Sequence, residues 1–398
     1  MGFNNLSEQG RLGFITPNNY FTSLSAEPLR VFFQREACVY KIIDFSHKKV
    51  FDAQTYTAIT FIDRRENRQI SYSKINDNQE VDSFLESATF SKNLVSNLSS
   101  KKWRLLRTDE QKNIQIIENS GLRLDELFDV NVGIATLKDH LYFLDALNRK
   151  DDFYVKIIDG HKFLIEPEVV KEVYKISDFK CIDAIEGNSR MIIFPYRNDA
   201  HNKLQPILEN EFKKIYPKCY KYFQFIKDEL KKREKKNIII PFYAYGRSQG
   251  LNNRGPKLLT PTFSRYPRFM MVPNGNSLFC NGYAVSKRSK NSGLLFSDHS
   301  ALAKIENLDV VQKIMNSYVM HYYISTTSVS IQGGYPCYQK NFMVRFTLPN
   351  FTDEEISKIR NIKDPMKLDE CLISKYGMKI PTQTYDDFAS KKYGYTLA

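Results

Sequence analysis

Short apolar runs broken by turn residues set the pattern of this chain. LGFI (12–15) reads as a strand that ends at Thr16-Pro17-Asn18-Asn19, because the ring of Pro17 drives its predecessor out of the helical region. Ser25 is then placed to cap a helix that carries Leu29, Phe32 and Phe33 at helical spacing. VYKIIDF (39–45) and YTAITFI (56–62), rich in β-branched and aromatic residues, predict two more strands joined by HKKVFDAQT (47–55). Strand, helix, strand, loop, strand is how an open, mostly parallel sheet ends, and such a sheet needs further strands to bury both faces. The expectation is an apolar surface over the first seventy residues that something else covers. From 70 to 113 the pattern turns polar. Asp82-Ser83-Phe84-Leu85 opens a helix, and the serine-rich NLVSNLSSKK (93–102) marks a linker. A boundary near 110 follows, giving domains 1–110 and 111–398. Beyond it, short strands and turns dominate, interrupted by one long helix over 216–236, and no repeat of fixed period occurs.

At 398 residues with 42% hydrophobic and 13% aromatic content, the chain is long enough for two or three domains and has the means to build their cores. No apolar run approaches the ~18 residues of a membrane span, and MGFNNLSEQGRLG has neither the basic nor the apolar segment of a signal peptide. The expectation is a soluble, cytoplasmic protein without a membrane partner. Cys38, Cys181, Cys219, Cys280, Cys337 and Cys371 are far apart, with no C-x-x-C pair, and read as reduced thiols.

Charge changes the picture most. The formal net charge is +13, yet between positions 235 and 297 a run of 63 residues holds no Asp or Glu and ten Lys or Arg. Phe242, Tyr243, Tyr245, Phe263, Tyr266, Phe269, Phe279 and Tyr283 are interleaved with these cations. Basic residues among rings, amides and turn glycines suit a surface that holds phosphates and reaches base edges. The plainer alternative is an inert basic face or one that meets an acidic protein. Rings in such number argue for nucleic acid, since a solvated face would not expose them.

Other chemistry is poorly represented. The six histidines are scattered, and no G-x-S-x-G, H-E-x-x-H, G-x-G or P-loop occurs, so no metal, triad or nucleotide cradle is expected from this chain.

GRLGFITPNNYFTS (10–23), VYKIIDF and KVFDAQTYTAITFID (49–63) together resemble the closing part of the catalytic domain of TaqI-like N6-adenine DNA methyltransferases. FDVNVGIATLKDHLYFL (128–144), IIFPYR (192–197), YKYFQFIKDELKKR (220–233) and FYAYGRSQGLN (242–252) are similar to stations of that family's specificity domain. So are GPKLLTPTFSRYPRF (255–269), FCNGYAV (279–285) and IQGGYPCYQKNFMVRFTLPNF (331–351), in the family's order. The resemblance implies an α/β fold: the C-terminal part of a doubly wound, Rossmann-like methyltransferase sheet, followed by a mixed α+β target-recognition domain. It also exposes a departure. The family binds S-adenosylmethionine at a glycine-containing strand-to-helix turn and acts through an Asn/Asp-Pro-Pro-Tyr/Phe motif, and this sequence has no Pro-Pro dipeptide. No catalytic or cofactor residue is therefore assigned. The expectation is the recognition half of a split, truncated or broken enzyme, with donor and catalytic motifs on a partner chain.

The resemblance implies roles for the residues that remain. Phe51, after Val50, takes the place of the ring that stacks on an extruded adenine, with Thr16 and Pro17 at the edge of the same pocket. From spacing alone Phe51 reads as a core residue sealing its loop. For double-stranded DNA the candidates are Arg247, Gln249, Arg254, Lys257, Arg265 and Arg268, with Tyr335 and Lys340 beside the paired glycines of GGYPCYQKN. Arg pairs with guanine O6 and N7 and Gln with adenine N6 and N7, while others of the set grip phosphates. Two further readings stay open: a free-standing sequence-specific DNA-binding protein, and an RNA-binding or RNA-modifying one.

Overall fold

The computed structural model describes residues 2–46, 48–52, 55–76, 79–233, 241–253, 255–272, 275–288, 301–331 and 333–394. They form a mixed α/β architecture of several small sheets in two compact units. Met1–Ser120, His321–Cys337 and Asp369–Ala398 make the first; Gly121–Met320 and Tyr338–Leu368 make the second.

In the first unit, strands β1 (Arg11–Pro17), β2 (Val39–Asp44), β3 (Thr57–Asp63), β4 (Gln69–Lys74) and β5 (Ser91–Leu94) form one sheet in the order β1-β3-β2-β4-β5. β3 is antiparallel to both its neighbours, so β1 and β2 run the same way, and helix α1 (Glu27–Arg35) carries the chain between them. Alternate residues of a strand face opposite sides. Ile42 accordingly joins Tyr20, Ile62, Tyr72 and Trp103 on one face, and Ile43 joins Phe45, Ile75 and Phe84 on the other. β1 is the sheet's edge. Among the described residues no strand pairs with its outer side, and Phe14 and Ile15 are 50% and 41% exposed.

α1 departs from the expected pattern. Ser25 is not its cap, since the Ser25 hydroxyl bonds that of Ser23 and Ala26 holds the N-cap position. Leu29 is exposed, and the interior position belongs to Arg30. The fully buried Arg30 guanidinium donates to the carbonyls of Tyr20 (2.5 Å), Ser23 (2.8 Å), Ser100 (2.6 Å) and Lys101 (2.8 Å). That arrangement also overturns the linker at 93–102. The serine-rich stretch supplies carbonyls to Arg30, while Leu98, Trp103 and Leu105 complete the core.

The first unit extends past 110 because helix α2 (Val81–Ser87) is followed by α3 (Thr108–Glu118), which two later segments hold. Glu118 accepts from Arg104 (2.6 Å) and from the Tyr323 hydroxyl (2.9 Å). Asn113 exchanges hydrogen bonds with the backbone of Lys379 at 2.9 and 3.1 Å. The boundary therefore lies at 120, and the unit is discontinuous in sequence.

The second unit carries two four-stranded sheets. Phe143–Asp145, Arg190–Ile193, Val170–Lys175 and Leu278–Cys280 make one; Phe128–Val132, Gly282–Lys287, Lys257–Pro261 and Met270–Val272 make the other. The long helix expected over 216–236 is two, Pro217–Phe225 and Lys227–Lys231, separated at Ile226, whose φ of −93° and ψ of 9° leave the helical region. Residues 234–236 lie outside the described residues.

Four of the eight rings of the acid-free stretch are interior and none is fully exposed, which corrects their reading as an exposed face. Tyr243, Tyr245, Phe269 and Phe279 are fully buried, and Phe242, Phe263, Tyr266 and Tyr283 are half-buried. Their hydroxyls explain how tyrosines serve as core: a buried phenol must find a partner. Tyr243 donates to the carbonyl of Ile207 (2.5 Å) and Tyr245 to that of Ile193 (2.8 Å).

No helix among the described residues is long and apolar enough to cross a membrane, and they contain no cluster suited to a metal ion. None of the six cysteines forms a disulfide with a described residue, and Cys181 is exposed.

Candidate nucleic-acid interface

Two loops of the second unit are bonded to each other. Four bonds, two from side chains and two from backbone, run from 246–253 to the carbonyls of 132, 133, 135 and 136. The Asn253 side chain donates to Val132 (3.0 Å), the Gln249 side chain to Gly133 (3.2 Å), Arg247 N to Ala135 (3.1 Å) and Gly246 N to Thr136 (3.1 Å). Glycine is required for this approach. A β-carbon at Gly250, whose φ is +72°, would lie 2.5 Å from the carbonyl carbon of Gly133.

The loop pair is anchored from below by Arg233, which is 5% exposed. Its guanidinium donates to the carbonyls of Thr136 (3.1 Å), Phe242 (2.7 Å) and Ala244 (2.9 Å) and to the Tyr142 hydroxyl (3.0 Å). The Tyr142 hydroxyl donates in turn to the carbonyl of Tyr243 (3.0 Å). Burial pushes the Tyr142 and Tyr245 phenols above their ordinary range, so both stay neutral donors.

This framework leaves Arg247 and Ser248 exposed. The Arg247 side chain makes no hydrogen bond or ion pair with other described residues, which leaves its full donor fork for a ligand. Gln249 is half-buried, and one of its amide hydrogens is spent on Gly133, so it acts first as a strut.

The other candidates disperse. Lys257 is buried, with Nζ donating to the carbonyls of Asn253 (2.8 Å) and Ser277 (3.0 Å), and burial lowers its pKa to about 8. Its ammonium faces no solvent, which removes it from the surface expected of it. Arg265 is exposed, with its guanidinium 6.0 Å from the Tyr266 ring centre. Arg268 is half-buried, donating to the Lys180 carbonyl at 3.0 Å while its Nε finds no partner among the described residues. Lys340 is exposed at the start of the short helix Lys340–Met343. Tyr335, four-tenths exposed, belongs to the first unit, so the pairing of Tyr335 with Lys340 by sequence proximity divides between units. Arg254 lies outside the described residues.

In the first unit, Thr16, Pro17 and Phe51 share one end of the sheet. Pro17 pairs with Thr57, and the loop bearing Phe51 joins β2 to β3 at that same end. Buried Asp44 ties the ends together, accepting from Asn18 (3.0 Å), from Ser46 N (2.8 Å) and from the Tyr72 hydroxyl (2.9 Å). Thr16 is half-buried and Pro17 exposed. Phe51 is 49% exposed, so the core role that spacing favoured does not hold, and Val50 supplies the packing instead. A cavity of about 320 Å³ at this end is lined by Asn18, Asp44, Ser46, Tyr56, Trp103 and Ser328.

Sequence reasoning missed a second group. Lys156, Lys175, Arg190 and Asp178 line a cavity of about 650 Å³ in the second unit. Lys156 Nζ donates to the carbonyls of His140 and Phe143, each at 2.6 Å, and burial brings its pKa to about 8. Lys156, Lys175 and Arg190 lie on three separate strands and Asp178 in the short turn after Lys175, so no single local pattern joins them.

Against known proteins, the family model for the Eco57I restriction-modification methylase matches residues 1–51. Over 271 residues, 62% of this chain, it is 27% identical to the type II restriction enzyme and methyltransferase RM.Eco57I of Escherichia coli. It is 22% identical over 403 residues, 90% of the chain, to the type II methyltransferase M.BanIII of Aneurinibacillus aneurinilyticus. The chain is related to the restriction-modification methyltransferases. It spans 26% and 64% of the lengths of those two relatives. In fold it is similar to the type IIL restriction-modification enzyme MmeI, solved in complex with DNA, with a TM-score of 0.52 and 11% identity, covering 98% of this chain and 50% of that one.

Proposed function

We propose that the chain is the DNA-recognition part of a site-specific N6-adenine methyltransferase, reading its target through the second unit and helping to hold an extruded adenine through the first. The observation that carries this reading is the stitched loop pair: an exposed arginine whose side chain has no partner among the described residues, on a backbone held by four bonds, in a stretch without acids. Rigid presentation lets Arg247 reach phosphate or guanine without paying to order its own loop. Arg265 and Lys340 add exposed charge in the same unit. In the first unit, an exposed ring at Phe51, at the same end of the sheet as Pro17, suits stacking on a base outside the helix.

The methyl donor, S-adenosylmethionine, belongs in this reading to residues outside this sequence. None of the strand-to-helix connections of the first unit contains glycine, so these residues do not build the donor's cradle, and no step is assigned to it here. The outer side of β1, with Phe14 and Ile15 exposed, is where strands of a partner chain would add.

The test is duplex binding across salt. The reading expects affinity to fall about 10³-fold between about 50 and 200 mM salt for some six phosphate contacts, with no methyl transfer by the purified chain alone. Transfer by this chain alone would refute the division of labour; salt-insensitive binding, or none, would refute the DNA role.

A further inference from the structure

Leu137 directly follows Thr136, whose carbonyl joins the loop pair at Gly246. Its backbone φ is +62°, a region where a side chain with a β-carbon is crowded and leucine is rare. Nothing local favours that conformation; its neighbours impose it. The Thr136 carbonyl accepts from both Gly246 N and Arg233, each at 3.1 Å. The Thr136 hydroxyl donates to Asp139 at 2.5 Å and accepts from Lys138 N at 3.2 Å. On the other side, Lys138 offers its carbonyl to Leu141 N at 2.9 Å. The leucine lies across Gly246, where a β-carbon would sit 2.5 Å from Leu137 Cγ. Held so, the side chain is still 40% exposed, and Arg247 pairs with Ala135 two residues away.

Strain of this kind normally persists where burial or function compensates for it. Burial compensates little here, and a rigid apolar tip beside an exposed arginine has a clear use on a duplex. Apolar side chains enter the stack between base pairs while cations hold the adjoining phosphates. A side chain already fixed loses no freedom on entering.

We propose that Leu137 inserts into the base stack of the bound duplex and unstacks a base step at the recognition site. The inference rests on the DNA-recognition reading of the same loops and adds an apolar wedge to it. Arg247 anchors the backbone, and Leu137 deforms the step beside it.

The experiment uses the full chain and a duplex recovered from a randomised pool by retention on that chain, with 2-aminopurine replacing each adenine in turn. Binding of the wild type should raise fluorescence at one or two adjacent positions, the sign of unstacking. Leu137→Asn suits a positive φ and should melt no lower than wild type, yet lose the rise. Leu137→Met, apolar and of similar reach, should keep it. A rise that survives Leu137→Asn overturns the wedge. So does its absence in a wild-type complex that is salt-sensitive and weakened by Arg247→Ala, a result that leaves the recognition reading intact. Replacing thymine by uracil separates a methyl contact: affinity lost with the methyl and no unstacking also overturns the wedge. If no duplex is retained at all, the recognition reading falls and takes this inference with it.

Discussion

The two loops that carry candidate DNA contacts are held in different ways. In the second unit, 246–253 is bonded along its length to 132–136 and rests on Arg233 and two buried tyrosines. In the first, the loop bearing Phe51 is tied at its base, where Asp44, Ser46 and Tyr56 meet Asn18. One presentation fixes a backbone in place, as reading the edges of bases in register demands. The other offers a ring on a loop whose anchors lie at the sheet end, which suits meeting a base that has left the stack.

The comparison breaks most readily at Arg233. Arg233→Met leaves buried carbonyls of Thr136, Phe242 and Ala244 short of donors, and should cost roughly 3 kcal/mol or more in urea denaturation and abolish duplex retention. Phe51→Ala, at an exposed site, should stay within about 0.5 kcal/mol of wild type. Equal effects would mean the two loops are not held differently.

Acid offers a second handle, on the first unit. Burial pushes the His321 imidazole down from 6.5 to about 3. The unfolded chain therefore binds the extra proton between those values, and stability falls as pH drops below 6.5, by about 1.4 kcal/mol per pH unit. His321→Leu should flatten that slope in urea titrations at pH 6.5 and below. An unchanged slope would place the acid sensitivity elsewhere.

Smaller effects sharpen the interface itself. Arg247→Ala should cost about 1–3 kcal/mol of duplex affinity and lower the salt slope by about 1. Lys257→Met should leave the salt slope unchanged, because the Lys257 ammonium is already bonded inside the fold.

Much of the first unit was legible in sequence. β1, β2 and β3 fall where the apolar runs put them, because runs rich in β-branched and aromatic residues announce strands by composition, whether buried as in β2 and β3 or at an exposed edge as in β1. Arg30 was not legible, since nothing in EPLRVFFQR says that the charged residue is interior; its four carbonyl partners come from segments up to 71 residues away. The same limit governs 93–102, where serines that look like a tether serve as acceptors. In the second unit, the absence of acids drew attention to the stretch that bears Arg247, but the argument from rings failed: Tyr243 and Tyr245 are there to be buried and to bond backbone. Lys257 failed for a related reason, because a cation can be internal when two carbonyls receive it. Leu137 carried no signal whatever, since its conformation opposes its own propensity and arises from bonds made by Thr136, Gly246 and Arg233.

The most direct test of the central claim is a photochemical map of the complex, with 5-iodouracil placed through a duplex retained by the chain and cross-linked peptides sequenced. The account predicts cross-links in 133–139 or 246–253. Cross-links confined to other segments of the second unit, with neither loop labelled at any position, would contradict it.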